Sequence, residues 1–265
     1  MKKLGFIGTG NMGGALVVAA AKSNVEKEIL LSDIAEEKAL SLAEKTGAKV
    51  LDNKTVAAEA DYIFLGVKPQ MLCDLMEEIA PVLAARKDRF VLVSMLAAFT
   101  CKRVAKASGG EYPIIRIMPN TPVSVGEGMV LYAPNEKVTE EELGFFLSAF
   151  QKAGRFSALP EKLMDAGASV AGCGPAFVDM FVEALADGGV ACGLPRAKAA
   201  EFAAQMVCGA AKLILESGKH PEQLKDEVCS PGGTTIQGVR ALESGGFRSA
   251  VMEAVIAAYE KNFDL

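Results

Sequence analysis

A glycine-rich turn near the amino terminus constrains the fold more than any other feature of this chain. Residues 8–13 read Gly-Thr-Gly-Asn-Met-Gly, the pattern G-x-G-x-x-G. The turn follows an apolar strand predicted over residues 4–7 and opens a helix predicted over residues 11–22. Glycines at these positions permit a tight turn, close approach of the backbone to a pyrophosphate, and close helix–strand packing. The pattern predicts a dinucleotide-binding unit, and a glycine-rich turn without a ligand is the alternative.

An acidic residue ends the second predicted strand, which covers residues 28–32. Asp33 lies about 20 residues beyond the loop, where the dinucleotide fingerprint places an acid. A carboxylate there accepts hydrogen bonds from a ribose 2′-hydroxyl and repels a 2′-phosphate. Residues 34–38 supply no Arg and only Lys38. We therefore expect NAD(H) to serve at least comparably to NADP(H). In the alternative interpretation, Asp33 only caps the next helix.

The chain divides into two parts of different pattern. Further apolar strands are predicted over residues 49–51, 62–67, 89–94 and 113–117, and helical patterns separate them. Because these strands lack strict polar alternation, they predict a parallel sheet covered on both faces. We expect an α/β fold, with a Rossmann-type doubly wound sheet over residues 1–160. Beyond Pro160, Ala, Gly and Leu at helical spacing predict an all-helical domain over residues 161–265, which packs against a second copy.

Composition excludes several classes of partner. The 33 acidic residues outnumber the 28 Lys and Arg, which argues against nucleic acid or an anionic membrane as partner. The apolar stretch 176–190 contains Asp179, Glu183 and Asp187, so we predict that it does not span a membrane. The six Cys form no C-x-x-C motif, and the chain has one His. This pattern predicts no metal site, mostly buried reduced thiols and a cytoplasmic location.

Three segments carry candidate chemistry. Two turns follow predicted strands, at the sheet edge where open α/β sheets bind ligands: Val67-Lys68-Pro69 and Met118-Pro119-Asn120-Thr121-Pro122. The third, residues 230–235, reads Ser-Pro-Gly-Gly-Thr-Thr before a helical pattern over residues 236–243. Its glycines favour backbone N–H groups that bind a carboxylate. Turn chemistry alone explains the first two segments equally well. For the third, spacing alone does not exclude a helix N-cap with a glycine turn. The only His, His220, precedes a proline and is interpreted as a helix-boundary residue.

Segments along essentially the whole chain resemble pyrroline-5-carboxylate reductases. They are residues 5–12, 67–69, 118–122, 172–176, 224–236 and 242–248, and the last two are far more specific than the glycine loop. The resemblance implies the last step of proline biosynthesis, reduction of L-Δ1-pyrroline-5-carboxylate to L-proline with NADP(H) or NAD(H). It also implies an intertwined homodimer, formed through the helical domain and often assembled into rings of dimers.

The resemblance also implies roles for individual residues. Thr235 corresponds to the threonine that hydrogen-bonds the substrate ring nitrogen, and is the expected catalytic residue. The backbone around Gly233, Thr234 and Thr235 would hold the substrate carboxylate, Gly232 is a further expected substrate-binding residue, and Asn120 would lie near the nicotinamide. From its position alone, we expect the Thr234 side chain to cap the helix. The expected cofactor residues are Gly8, Thr9, Gly10, Asn11, Met12, Ser32, Asp33, Asn53, Val67, Lys68, Pro69 and Ala97.

This chain departs from the family pattern at three places. Ala171 and Cys173 stand where many members have Ser, and Leu96-Ala97-Ala98 replaces the usual Ala-Ala-Gly. Members generally prefer NADPH, whereas Asp33 favours NADH.

Two other functions stay open from sequence. A β-hydroxyacid-type dehydrogenase would need a Lys general acid in the helical half, where Lys198 and Lys212 lie in no polar cluster. A nicotinamide-binding sensor would keep the fold without turnover. Consumption of NAD(P)H in the presence of pyrroline-5-carboxylate distinguishes the three functions.

Overall fold

The chain forms two compact units in a computed structural model that describes residues 1–262. The sheet unit comprises Met1–Cys173 and the described residues from Tyr259 onward, and the helical unit comprises Gly174–Ala258. Residues 161–173 thus pack with the sheet unit.

The sheet unit is built on one sheet. Within the described residues it has eight strands: β1 (Lys2–Ile7), β2 (Lys27–Ser32), β3 (Lys49–Val50), β4 (Tyr62–Leu65), β5 (Val91–Ser94), β6 (Ile114–Met118), β7 (Gly128–Pro134) and β8 (Gly154–Ala158). Their order is β3-β2-β1-β4-β5-β6-β7-β8, and only the β6–β7 pair is antiparallel among these neighbours. The predicted Rossmann-type doubly wound sheet is confirmed. β7 and β8 were not among the predicted strands.

Helices cover both faces of this sheet. They are α1 (Asn11–Lys22), α2 (Glu36–Thr46), α3 (Asn53–Glu59), α4 (Leu72–Ala85), α5 (Cys101–Ser108), α6 (Glu140–Ala149) and α7 (Met164–Ala171). One face buries a cluster in which the rings of Phe6 and Phe64 stack with centroids 4.3 Å apart. The other face buries a cluster that includes Ile63 and Leu92. Because helices cover both faces of the sheet, the central strands β4 and β5 are apolar at nearly every position, which is why they show no alternation in sequence.

Five more helices follow in the chain. They are α8 (Gly174–Ala191), α9 (Arg196–Ser217), α10 (Pro221–Val228), α11 (Thr234–Ser244) and α12 (Phe247–Lys261). α9 begins at Arg196, directly after Pro195, and Gly218 ends it with a left-handed φ of 65°. The helix predicted over residues 236–243 begins two residues earlier, so Thr234 and Thr235 lie in its first turn.

The helical unit has little core of its own. Its core cluster consists of the small side chains of Ala186, Ala199 and Ala203. Large apolar side chains such as Phe202 and Met206 are about half exposed on the single chain. The stretch Glu161–Ala191 is also long and apolar enough to cross a membrane by length and composition, and 6% of its most apolar window is buried in the chain. Large apolar side chains exposed in such number are typical of an interface.

The thiols contradict one expectation. Only Cys101 of the six cysteines is buried in the single chain; Cys229 is half-buried, and the others are exposed: Cys73, Cys173, Cys192 and Cys208. The prediction of mostly buried thiols was therefore wrong. Its premise, that a free Cys behaves as a small core residue, holds only where the helices around it build a core.

Candidate active site

The glycine loop connects β1 to α1 and fits a pyrophosphate. Gly8 has a φ of +98°, and a Cβ there would lie 2.6 Å from the carbonyl carbon of Gly66. A Cβ at Gly13 would lie 2.3 Å from the Gly8 oxygen, so the loop needs glycine at both positions. Gly10 is the N-cap of α1, makes no side-chain cap hydrogen bond, and faces open space. The first N–H groups of α1 therefore stay available to an anion.

Asp33 follows β2 and is held against the loop. The N–H and the hydroxyl of Thr9 both donate to Asp33 Oδ2, at 2.6 and 2.9 Å, and the Ala35 N–H donates to Oδ1 at 2.9 Å. Partial burial raises the pKa of Asp33, but the bonds from Ala35 and Thr9 outweigh it and hold the pKa below its usual value. Ala35, and not Asp33, is the N-cap of α2. Asp33 thus fixes the shape of the loop, and Oδ1 keeps room for one more donor.

Ser32 and Asn53 meet at the same edge of the sheet. The Ser32 hydroxyl donates to Asn53 Oδ1 at 2.7 Å, and Asn53 Nδ2 donates to Glu78 Oε2 at 2.8 Å. Ser32 ends β2, Asn53 opens α3 and Glu78 lies on α4. The structure therefore brings two predicted cofactor residues together and adds Glu78, which no sequence motif had singled out.

The loops after β4 and β5 lie at the same carboxyl edge. Val67 and Lys68 follow β4 after Gly66, and Lys68 is the N-cap of a short 3₁₀ helix that begins at Pro69. After β5, Ala98 has a φ of 58°, in the left-handed region that favours glycine. This is the position where the family usually has Gly. The loop beside Ala97 therefore keeps a left-handed residue despite the substitution, at a cost of about 1 kcal/mol.

Asn120 follows β6 and is buried, with 8% of its surface exposed. Its Nδ2 donates to the Ala171 carbonyl at 2.9 Å, and its Oδ1 accepts from the Met129 N–H at 2.9 Å. The side chain thus joins the turn after β6 to β7 and to the end of α7. Its expected place near the nicotinamide stays a prediction, and these bonds give it a structural role as well.

A buried ion pair was missed in sequence. Arg116 on β6 is 1% exposed, and its Nη2 donates to Oδ1 of Asp165 on α7 at 2.6 Å. Its Nε is buried and has no hydrogen-bond partner. The pair and the Asn120–Ala171 bond anchor both ends of α7 to the β6 segment. An Arg inside an apolar strand pattern was the available signal, because a buried charge requires a partner.

In the helical unit, the candidate substrate-binding segment is the start of α11. Gly232 has a φ of +69°, and the Gly233 N–H donates to the Ser230 carbonyl at 3.0 Å, so that N–H is already used. Gly233 is the N-cap of α11 and α11 has no side-chain cap bond, so the prediction that Thr234 caps the helix was wrong. The N–H groups of Thr234 and Thr235, in the first turn, have no intrahelical acceptor. They form an anion-binding end with an exposed hydroxyl at Thr235.

An arginine braces this part of the helical unit. Arg248 Nη2 donates to Glu222 Oε1 at 2.5 Å, and its Nε donates to Glu243 Oε1 at 2.6 Å. These bonds connect the first turn of α12 to α10 and to the end of α11. A hydrogen bond from Lys225, together with the one from Arg248, lowers the pKa of Glu222 to about 2.

The remaining candidates lie on helix surfaces. His220 is the N-cap of α10, with Nδ1 accepting from the Glu222 N–H, as expected for a helix-boundary residue. Lys198 and Lys212 are exposed on α9 and pair with Glu201 and Glu216 of the same helix. Neither lysine is placed as a general acid. Asp179, Glu183 and Asp187 are exposed along α8.

Comparisons with known proteins agree along the whole chain. Residues 161–265 match the family model described as pyrroline-5-carboxylate reductase dimerisation, and residues 3–98 match one described as NADP oxidoreductase, coenzyme F420-dependent. The pyrroline-5-carboxylate reductase of Escherichia coli (strain K12) is 43% identical over 98% of this chain and 97% of the relative. The solved structure of the Coxiella burnetii enzyme has a TM-score of 0.89 at 31% identity, over 98% of this chain and 97% of that one. The Plasmodium falciparum enzyme, solved with NADP bound, has a TM-score of 0.87 at 32% identity, over 99% and 98%.

Proposed function

The chain belongs to the pyrroline-5-carboxylate reductase family, and from that premise we propose how its own residues carry out the family's reaction. The enzyme reduces L-Δ1-pyrroline-5-carboxylate to L-proline with a nicotinamide dinucleotide, in proline biosynthesis. The single observation that carries the residue assignment is the start of α11 at Thr234, directly after Gly233.

The sheet unit holds the cofactor. The glycine loop and the first N–H groups of α1 bind the pyrophosphate, because the open space at Gly10 leaves them uncovered. Ser32, Asp33 and Asn53 face the adenosine ribose at the end of β2. The loops at Val67–Pro69 and Ala97 flank the remaining part of the dinucleotide. When bound, the cofactor supplies the hydride.

The first turn of α11 holds the substrate. The N–H groups of Thr234 and Thr235 bind the carboxylate, which the helix dipole also favours. The Thr235 hydroxyl hydrogen-bonds the ring nitrogen, so the ring is fixed at two points. A cyclic imine is basic enough to be protonated, and the resulting iminium carbon accepts hydride readily. The protein therefore needs to orient the ring more than to supply a strong acid, and orientation alone accounts for a large part of many rate enhancements.

The test replaces each threonine in turn. Thr235→Ala removes one hydroxyl from an exposed first-turn position and keeps the helix backbone, so the variant should fold and bind cofactor normally. Its kcat/KM for pyrroline-5-carboxylate should fall by about tenfold to a thousandfold, the range for one orienting hydrogen bond. Thr234→Ala is the matched control. It should lower kcat/KM much less, since the wild-type Thr234 side chain makes no cap bond. Equal losses in both variants would remove the special role of Thr235.

We also infer the assembly and location. The exposed apolar helices coincide with the residues that match the dimerisation model, which supports a homodimer as the minimal unit. Rings of dimers are the proposed larger assembly. Six cysteines without a disulfide support a cytoplasmic enzyme. The carboxylates of Asp179, Glu183 and Asp187 along α8 support an interface role for the apolar stretch, not a membrane span.

A further inference from the structure

Three polar side chains form a directed chain of hydrogen bonds at the adenosine edge of the sheet. Glu78 on α4 accepts from Asn53 at 2.8 Å, and Asn53 accepts from Ser32 at 2.7 Å. Ser32 is nearly buried, with 6% of its surface exposed, and its own carbonyl accepts from the Gly8 N–H at 2.8 Å. The last side chain of the series therefore lies beside the glycine loop.

The carboxylate of Glu78 sets the donor and acceptor direction of both hydrogen bonds in this series. An ionised carboxylate accepts hydrogen bonds and cannot donate them. The atom of Asn53 that faces Glu78 must therefore be the Nδ2 amide, which turns Oδ1 towards Ser32. Because Oδ1 also only accepts, the Ser32 hydroxyl must donate its single hydrogen to Asn53. Ser32 then has only lone pairs left for any ligand.

The consequence concerns the ribose of the cofactor. The acidic residue at the end of the second strand marks the ribose position in this fold, and Ser32 immediately precedes Asp33. Asp33 is an acceptor as well, with Oδ1 holding a single donor from Ala35. A 2′-hydroxyl can donate to such a pair of acceptors. A 2′-phosphate has only acceptor oxygens to offer when fully ionised, so it gains no hydrogen bond from Ser32.

We propose that Glu78 is a positioning residue for cofactor choice: acting through Asn53 and Ser32, it favours a ribose with a free 2′-hydroxyl over a 2′-phosphate. The proposal rests on the proposed function only in that the bound cofactor is a nicotinamide dinucleotide with its ribose at the end of β2. Glu78 would then be a second carboxylate, besides that of Asp33, that favours NADH.

Glu78→Gln tests the direction of the hydrogen bonds from Ser32 to Glu78, because glutamine has nearly the same shape as glutamate. A glutamine amide can donate to Asn53 Oδ1, which lets Asn53 Nδ2 donate to Ser32 and frees the Ser32 hydroxyl to donate to a phosphate. The dissociation constants of NADH and NADPH, measured by nicotinamide fluorescence, should shift in ratio towards NADPH by about threefold to tenfold, the value of one hydrogen bond. Glu77→Gln removes a neighbouring carboxylate that is exposed on the same helix, and should leave the ratio unchanged.

A double variant separates this role from simple support of the fold. In a Ser32→Ala background the series of hydrogen bonds ends before it reaches the ligand. Glu78→Gln should then no longer change the ratio of the NADH and NADPH dissociation constants. An unchanged ratio in Glu78→Gln, a shift towards NADH, or an equal weakening of both cofactors would each overturn the proposal. Binding is measured without the imine substrate. A protein that binds both dinucleotides but does not reduce pyrroline-5-carboxylate would therefore contradict the proposed function and leave this test intact.

Discussion

Replacing Asp165 by alanine is expected to destabilise the sheet unit by about 2–3 kcal/mol, because it leaves the buried guanidinium of Arg116 without its ionic partner. Arg116 is 1% exposed, and the 2.6 Å bond from its Nη2 to Asp165 is the ion pair that compensates its charge. Breaking a fully buried pair by removing one partner costs about 3–5 kcal/mol. The Asp165 side chain is 32% exposed, so water can reach the vacated position and lower that cost.

The assay is urea unfolding at one fixed protein concentration, because dimerisation makes the apparent stability concentration-dependent. A thermal scan should show a fall of about 4–12 °C in Tm, at about 2–4 °C per kcal/mol for a chain of this size. Arg116→Met supplies the control, since it removes the charge and keeps an apolar side chain of similar length. Adding Asp165→Ala to Arg116→Met should cost little further stability. A loss below about 0.5 kcal/mol in Asp165→Ala, or additive losses in the double variant, would refute this account of the pair.

Asp33→Ala should destabilise the chain at pH 7 by removing the bonds from Thr9 and Ala35, and the difference from the wild type should shrink as the pH falls. The pKa of Asp33 is lowered in the folded state, so its contribution is present above the unfolded pKa and is lost below about pH 4; urea unfolding at pH 7 and pH 3 checks the sign. Light scattering at micromolar concentration should show a dimer or a multiple of it, and a stable, active monomer would contradict the interface inferred from Phe202 and Met206.

Local pattern was enough to place the glycine loop and the helix that follows it. The helix after the glycine loop was predicted over residues 11–22 and is observed over Asn11–Lys22. The loop glycines at 8 and 13 are required by backbone contacts of the strand–turn–helix unit, which depend on neighbours close in sequence. Continuous runs of apolar residues predict the strands in the middle of the sheet. β8 has no such run, because its burial is partial and its sequence, Gly-Arg-Phe-Ser-Ala, mixes polar and apolar residues.

The sequence alone did not reveal the main structural role of Asp33. The acid and its position were visible in the sequence, as were both of its possible roles, ribose acceptor and helix cap. The structure shows a third role, because Asp33 accepts from the N–H and the hydroxyl of Thr9, 24 residues away. Thr234 is a similar case, since its expected cap bond is absent where Gly233 opens the helix.

The amino-acid sequence by itself determined the α/β class, the glycine loop, the acid after the second strand and the two threonines behind Gly232-Gly233, because these depend on local periodicity and on residues a few positions apart. Only the tertiary structure decided which polar groups face each other across long separations. Glu78 reaches Asn53 from 25 residues away, and Arg116 meets Asp165 from 49 residues away. No periodicity records such pairs, since they are set by which strands become neighbours in the sheet and by the requirement that a polar group taken out of water find a partner.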